Sequence, residues 1–112
     1  PECYRRGREI SERHNIPYTV TGRCIGSGHS MMFAWTYAFN RAEPETIEEA
    51  REALHETDDL VMELGGVIWK PGIYGQRIIM ERLEPETRRL MRAIKGLVDP
   101  NGIMNPGNWE GM

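Results

Sequence analysis

Long apolar runs are missing from this chain. No stretch approaches the roughly 20 residues that a membrane span requires, so none is expected to cross a bilayer. Cysteine is scarce as well. Cys3 and Cys24 show neither metal-type nor redox spacing, which leaves them as reduced structural thiols and points to a cytoplasmic setting without a secretory signal. A charge excess is also lacking, since a net charge of −3 gives no electrostatic footprint for nucleic acid or an anionic membrane surface. A phosphate-cradling glycine loop is absent too. Gly22, Gly26 and Gly28 do not have G-x-G-x-x-G spacing, and a strand pattern follows them where a helix would be needed.

What is present has the composition of a globular domain, 39% hydrophobic and 28% charged over 112 residues, which allows one domain at most. The chain opens Pro1-Glu2-Cys3 without methionine and enters a helical pattern at once. It is therefore expected to be a piece of a longer polypeptide.

The pattern predicts a charged helix over Glu2 to His14, weakened by Gly7 and ended by Asn15 with Pro17 behind it. Tyr18 to Ile25 reads as a strand, Gly26-Ser27-Gly28 as a turn, and His29 to Asn40 as the clearest strand. On that strand Met31, Phe33, Trp35, Tyr37 and Phe39 share one face and Met32, Ala34, Thr36 and Ala38 the other. Such a contrast suggests a sheet covered on both faces, with the aromatic row turned to a deeper core or a pocket. Glu43-Pro44-Glu45-Thr46 opens a helix whose buried stripe is Ile47, Ala50, Leu54, Val61 and Leu64, and Gly65-Gly66 ends it. Val67 to Trp69 reads as a short strand, Lys70 to Gly75 as a loop, and Gln76 to Met80 as extended. Glu84-Pro85-Glu86-Thr87 then repeats the helix start. His14 and His55 read as solvated helix residues.

The order helix, strand, strand, helix, strand, helix is that of a βαββαβ unit without its first strand. The expected fold class is therefore α+β: an incomplete ferredoxin-like α/β sandwich, with an antiparallel sheet and helices on one face. The missing strand is an interior one, so upstream polypeptide or another copy of the chain is expected to fill the gap.

The end of the chain carries the most information. Leu90, Met91, Ile94, Leu97 and Val98 form an apolar stripe at helical spacing. The helix runs into Asp99-Pro100-Asn101-Gly102, then Ile103-Met104, then Asn105-Pro106-Gly107, so the apolar pair is pinned between two stiff turns. From Leu90 to Gly107 this resembles the C-terminal signature of FAD-linked oxidases of the vanillyl-alcohol oxidase type. The resemblance implies that residues 1–112 are a C-terminal substrate-side, or cap, domain, with FAD bound mainly by an upstream domain or subunit outside this chain. Some members of the family link FAD covalently through a His or Tyr of this domain; no residue here identifies itself as that link, so none is expected.

Within that family, the branch acting on 2-hydroxy acids opens its strand with a motif similar to H-x-G-D-G-N-x-H, whose histidines hold a divalent metal with a later Glu-His-Gly. Here His29 matches the first histidine. The second falls on Thr36, Met32-Phe33-Ala34 replaces Asp-Gly-Asn, and Val67-Ile68-Trp69-Lys70-Pro71-Gly72 follows the Gly-Gly pair without the Glu-His sequence. Threonine is a poor ligand beside imidazole, so no metal is expected.

The resemblance then points to Trp35, Tyr37, Tyr74 and Arg77 as substrate-binding residues and to His29, Tyr74 and Arg77 as catalytic ones. In the phenol-oxidising branch, tyrosines and an arginine hold the substrate as a phenolate. Each residue also has a structural alternative: Trp35, Tyr37 and Tyr74 as packing, Arg77 as the partner of Glu81 or Glu84, and His29 as a base or a strand-end residue satisfied by backbone. Asn105 is expected either at the flavin ring edge or capping its own turn.

The function these readings imply is oxidation of an alcohol or hydroxy acid by hydride transfer to FAD, with a metal-independent aromatic or phenolic alcohol as the narrower expectation. The implied partners are a small-molecule substrate, the upstream FAD-binding domain, and a possible second copy of the chain. The alternative is a non-catalytic α+β module used for binding or oligomerisation.

Overall fold

A computed structural model of the chain describes residues 2–109. The elements run α1 (Glu2–Arg13), β1 (Tyr18–Ile25), β2 (Ser30–Tyr37), α2 (Pro44–Glu63), α3 (Ile73–Arg82) and α4 (Pro85–Val98), with a 3-10 turn at Gly26–Gly28 joining the strands. They form two compact units, divided between Gly65 and Gly66.

In the first unit α1 ends where the sequence places its stop. Asn15 takes a left-handed φ of 49°, one of the few conformations that an L-residue other than glycine visits with Asn preference. The Ser11 hydroxyl donates to the Ile16 carbonyl at 2.5 Å and turns the chain toward β1. β1 and β2 pair antiparallel from Tyr18↔Tyr37 to Ile25↔Ser30. At the open end the Ala38 N–H donates to the Pro17 carbonyl at 2.9 Å. At the other end Gly26, Ser27 and Gly28 have φ of 59°, 56° and 88°, a run of left-handed residues that glycine makes accessible on both sides of Ser27.

Because side chains alternate across a strand, this register assigns each residue a face. Tyr18, Val20, Gly22 and Cys24 share one face with Tyr37, Trp35, Phe33 and Met31. That face lies under the helices. Tyr37 packs on the core of Ile10, Ile16, Ala50, Ala53 and Leu60, and the Trp35 indole lies against Gly7 of α1. α2 approaches closely because it presents Ala50 and Ala53, the latter fully buried. On the other face Thr19, Thr21, Arg23, Ala34 and Thr36 are exposed. The expectation of two covered faces is thus corrected among the described residues. The aromatic row carries the core, and the small side chains mark the open face.

The start of α2 is built from its own sequence. Thr46 Oγ1 donates to the carbonyls of Asn40 (2.8 Å) and Glu43 (2.9 Å), while the Asn40 side-chain oxygen accepts from the Ala42 N–H at 3.1 Å. Between α1 and α2, Arg6 and Glu63 pair in a two-pronged contact, both bonds at 2.7 Å.

The second unit departs from the sequence pattern in two places. Val67 to Trp69 is not a strand among the described residues. It has no partner, and Val67 and Trp69 are 86% and 70% exposed. Gln76 to Met80 is not extended but lies inside α3. Gln76, Arg77, Met80, Glu81 and Arg82 are good helix formers, and they outweigh the β-branched pair Ile78-Ile79, of which Ile78 is buried with Gly75, Gln76 and Met80. Leu83 ends the helix in extended geometry, as the approach to Pro85 demands. α4 follows as expected, with no buried residue. Leu90, Ile94, Leu97 and Val98 are all exposed.

The architecture is therefore an incomplete α+β sandwich: a two-stranded antiparallel sheet carrying α1 and α2 on one face, with no third strand among the described residues.

Candidate functional site

The hairpin places four of the residues singled out by sequence. His29 lies at the turn, its N–H donating to the Gly26 carbonyl at 3.2 Å. Its imidazole is exposed and makes no side-chain hydrogen bond among the described residues. Thr36, at the position of the family's second histidine, lies on the open face opposite Thr19. Trp35 and Tyr37 point the other way. The Tyr37 hydroxyl meets Thr57 Oγ1 of α2 at 2.5 Å, and Thr57 in turn donates to the Ala53 carbonyl at 2.8 Å. Burial raises the Tyr37 phenol above its ordinary pKa. The ring stacks of the row are loose, with Phe33 and Trp35 centroids 5.8 Å apart.

The second unit is organised around two polar side chains that the sequence reading passed over. Asp99, the C-cap of α4, has a side chain only 2% exposed. Its carboxylate accepts from Lys95 Nζ at 2.5 Å and from the backbone N–H groups of Ile103 and Met104, both at 3.0 Å. Lys95 Nζ also donates to the Met104 carbonyl at 2.7 Å. The lysine ammonium, joined by the two N–H groups, holds the Asp99 carboxyl below the usual range. The second is Gln76, 8% exposed, whose amide donates to the Pro71 carbonyl and to Asn108 Oδ1, both at 3.2 Å, and accepts from the Trp109 N–H at 2.6 Å. Lysine four residues before Asp-Pro was a visible signal for the first of these. A buried glutamine at the start of a misassigned helix left no such signal.

Between these anchors Asn105 has φ of 49°, and its carbonyl accepts from the Asn108 N–H at 3.2 Å. The turn is closed by backbone, so the Asn105 side-chain amide is not spent on it. Tyr74 and Arg77 lie three apart on α3, with the guanidinium over the phenol ring at 5.2 Å.

A further cluster corrects the reading of His14 as solvated. Its side chain is 11% exposed and is bracketed by α2: Nδ1 lies 2.8 Å from Glu49 and 3.9 Å from Glu52, and Nε2 lies 2.7 Å from Glu56. Arg13 also pairs with Glu56. Hydrogen bonds to Glu56 and Glu49 raise the His14 pKa, so the protonated ring, with both nitrogens donating, is favoured. His14 Nδ1, Glu49 and Glu52 are also close enough together to receive a divalent cation. Glu49, Glu52 and Glu56 share a face of α2 at helical spacing, but only the fold brings that face to the end of α1. Beside them an open cleft of about 550 Å³ runs between His14, Ile16, Pro17, Phe39, Thr46 and Glu49, at the end of the hairpin away from His29.

The chain belongs to the family "FAD linked oxidases, C-terminal domain", whose model matches residues 1–109 and so takes in both the hairpin and the Asp99-anchored tail. It is also 34% identical over 108 residues to the D-lactate dehydrogenase of Archaeoglobus fulgidus, a match covering 95% of this chain and 23% of that protein. The chain thus spans about a quarter of the length of this relative. No solved structure matches it. Membership implies FAD as the cofactor, held largely by another domain.

The described residues fit that division. The Gly26–Gly28 turn leads into a strand, and α2 and α4 both start at a proline flanked by glutamates (Glu43 and Glu45, Glu84 and Glu86) that would repel an anion, so none of these offers a pyrophosphate cradle.

Proposed function

We propose that this chain is the substrate-side domain of an FAD-dependent oxidoreductase that oxidises an alcohol or 2-hydroxy acid, residues 1–112 forming a C-terminal cap over a flavin bound by polypeptide outside them. The observation that carries this reading is the family match across residues 1–109 together with the D-lactate dehydrogenase relative. Bound flavin supplies the hydride acceptor. This chain's residues bind, orient and move the proton.

The exposed imidazole of His29, which makes no side-chain hydrogen bond among the described residues, suits a base for the substrate hydroxyl. Asn105 lies in the segment held by the Asp99 and Gln76 anchors, and its amide suits a contact with the flavin ring edge. The exposed stripe of Leu90, Ile94, Leu97 and Val98 fits a domain that is covered in the complete protein by the rest of the polypeptide. The unpaired edges of the two-stranded sheet leave room for an upstream strand or a second copy.

A 2-hydroxy acid is the substrate class favoured by the relative. A metal-independent phenolic alcohol is the second reading, and the Tyr74–Arg77 pair supports it, since a guanidinium beside a phenol can stabilise a phenolate. Trp35 and Tyr37, placed under the helices, contribute to either reading as scaffold. The test is anaerobic. The full-length protein should be yellow, and D-lactate or a phenolic alcohol such as vanillyl alcohol should bleach it. A colourless full-length protein, or a flavin that neither compound reduces, would overturn the proposal.

A further inference from the structure

We infer that His14, Glu49 and Glu52 form a binding site for a divalent transition-metal ion, entered from the cleft beside them. Among the described residues this is where three metal-ligating side chains converge: His14 Nδ1 and one carboxylate oxygen of each glutamate lie within 4.8 Å of one another. Zinc-like bond lengths would place tetrahedral donors about 3.4 Å apart. The observed separations bracket that value, with Nδ1 2.8 Å from Glu49 and 3.9 Å from Glu52. The two glutamate side chains are 49% and 59% exposed, so small rotations bring them to an ion without moving the helices.

Charge and orientation support the same reading independently. Glu49, Glu52 and Glu56 recur at three- and four-residue spacing on one face of α2, where like charges repel. Glu45, one turn earlier, lines the same cleft. The nearby arginine goes elsewhere, since Arg13 pairs with Glu56. Among the described residues no lysine or arginine pairs with Glu45, Glu49 or Glu52. The histidine itself is held as a ligand would be. Its side chain is 11% exposed and its Nε2–H donates to Glu56 at 2.7 Å, which turns Nδ1 toward Glu49 and Glu52. A carboxylate on the far nitrogen is the common outer partner of a metal-bound imidazole, and it fixes the ring's tautomer and direction.

The donor set selects the ion. One imidazole nitrogen with two carboxylate oxygens and no thiolate suits Zn²⁺ or Mn²⁺, whereas Mg²⁺ and Ca²⁺ prefer oxygen ligands throughout. The ion takes the place of the Nδ1 proton, which leaves to solvent, and Glu49 exchanges a hydrogen bond for a metal bond. Three protein donors leave a coordination position for water, which the cleft lined by His14 and Glu49 supplies. An ion there joins the end of α1 to the first half of α2. The site lies at the end of the hairpin away from His29, apart from the family positions at His29, Thr36 and Pro71, and it does not depend on the flavin reading.

The test uses the full-length protein, stripped of metal with a chelator, and titrates Zn²⁺ and Mg²⁺ by calorimetry into wild type, His14→Gln, Glu52→Gln and Glu48→Gln. Losing a ligand should weaken Zn²⁺ binding at this site about tenfold or more, at least as much as losing an outer partner does. Glu48 pairs with Arg51, so Glu48→Gln should bind as wild type does. Zn²⁺ should raise the thermal midpoint of wild type more than that of Glu52→Gln. Glu52 is exposed and its contact with Nδ1 is long, so the metal-free midpoint of Glu52→Gln should stay close to wild type. That variant therefore decides the matter even where His14→Gln does not fold. Equal Zn²⁺ binding by wild type and Glu52→Gln would overturn the inference. Mg²⁺ binding as tightly as Zn²⁺ would overturn it too, by showing a diffuse acidic surface in place of an imidazole site.

Discussion

Lys95 and Asp99 stand one helical turn apart at the end of α4, and their 2.5 Å ion pair closes over a carboxylate that is almost sealed from solvent. The contact is not an ordinary surface pair of the kind that contributes little. The same carboxylate receives the Ile103 and Met104 N–H groups, and the same ammonium caps the Met104 carbonyl. Two side chains thereby fix the backbone of the Asp-Pro-Asn-Gly-Ile-Met segment that leads to Asn105.

Asp99→Asn should loosen this segment. The amide has only one acceptor oxygen, so it cannot serve both N–H groups and the lysine together. Hydrogen exchange at the Ile103 and Met104 amides should quicken about tenfold or more, while exchange in α3 is unchanged. Because the Asp99 pKa is lowered in the folded chain, its contribution is present above the ordinary carboxylate range. It is lost as pH falls through the folded value, so acid should quicken the same two amides first. Equal exchange in variant and wild type would show that the turns hold themselves.

His14 and Glu56 predict the pH dependence of the first unit. The His14 pKa is raised from 6.5, so its contribution is complete below 6.5 and disappears as pH rises through the folded value. For Glu56 burial works upward, but the bonds from His14 and Arg13 outweigh it and lower the pKa from 4.5, so that contribution is lost as pH falls through the folded value. Urea midpoints should therefore peak between about 4.5 and 6.5, the ordinary values of the two groups. His14→Gln should flatten the alkaline side of that profile. A wild-type profile that is level from pH 6 to 8 would contradict this.

Gly7 is a packing position, not a flexible one. A Cβ there would lie 2.4 Å from Trp35 Nε1. Gly7→Ala should gain about 1 kcal/mol of helix propensity and lose about 1–3 kcal/mol to overpacking, so chemical denaturation should show net destabilisation. The indole Nε1 is buried without a hydrogen-bond partner, so Trp35→Phe removes both the clash and an unsatisfied donor. The double variant should be more stable than the sum of the single effects predicts.

Tyr37 separates core from pocket. Tyr37→Phe removes its bond to Thr57 and should cost about 1 kcal/mol of stability. Thr57→Val should cost more, about 1–3 kcal/mol, because it leaves a half-buried phenol without its acceptor. Neither change should alter KM in the full-length enzyme. A KM shift for Tyr37→Phe without loss of stability would return Tyr37 to the substrate wall.

Local chemistry explains which elements could be read in advance. α1 stops at Asn15, the strands divide at Gly26-Ser27-Gly28, and Glu-Pro-Glu-Thr opens α2 and α4, since caps, turns and proline act within a few residues. α3 was missed because Ile78-Ile79 reads as strand only when the surrounding helix formers are discounted. Val67 to Trp69 was misassigned because a strand needs a partner, and a short apolar run does not contain one. Among the site residues, Asn105 is legible as a position in a turn, whereas His29 reads as the first residue of the strand and the structure places it in the turn before β2. The freedom of both side chains was not, because a missing hydrogen bond depends on what the rest of the chain brings nearby.

By itself the sequence determined the family, through the closely spaced turns of the tail, together with the alternation that gives each strand residue a face. Tertiary structure decided which face is which. Helices α1 and α2 settled on the aromatic row because Gly7, Ala50 and Ala53 let them come close. That choice turned Trp35 and Tyr37 inward and left Arg23 among threonines on the open side. Alternation fixes the partition of side chains. Only packing fixes its sign.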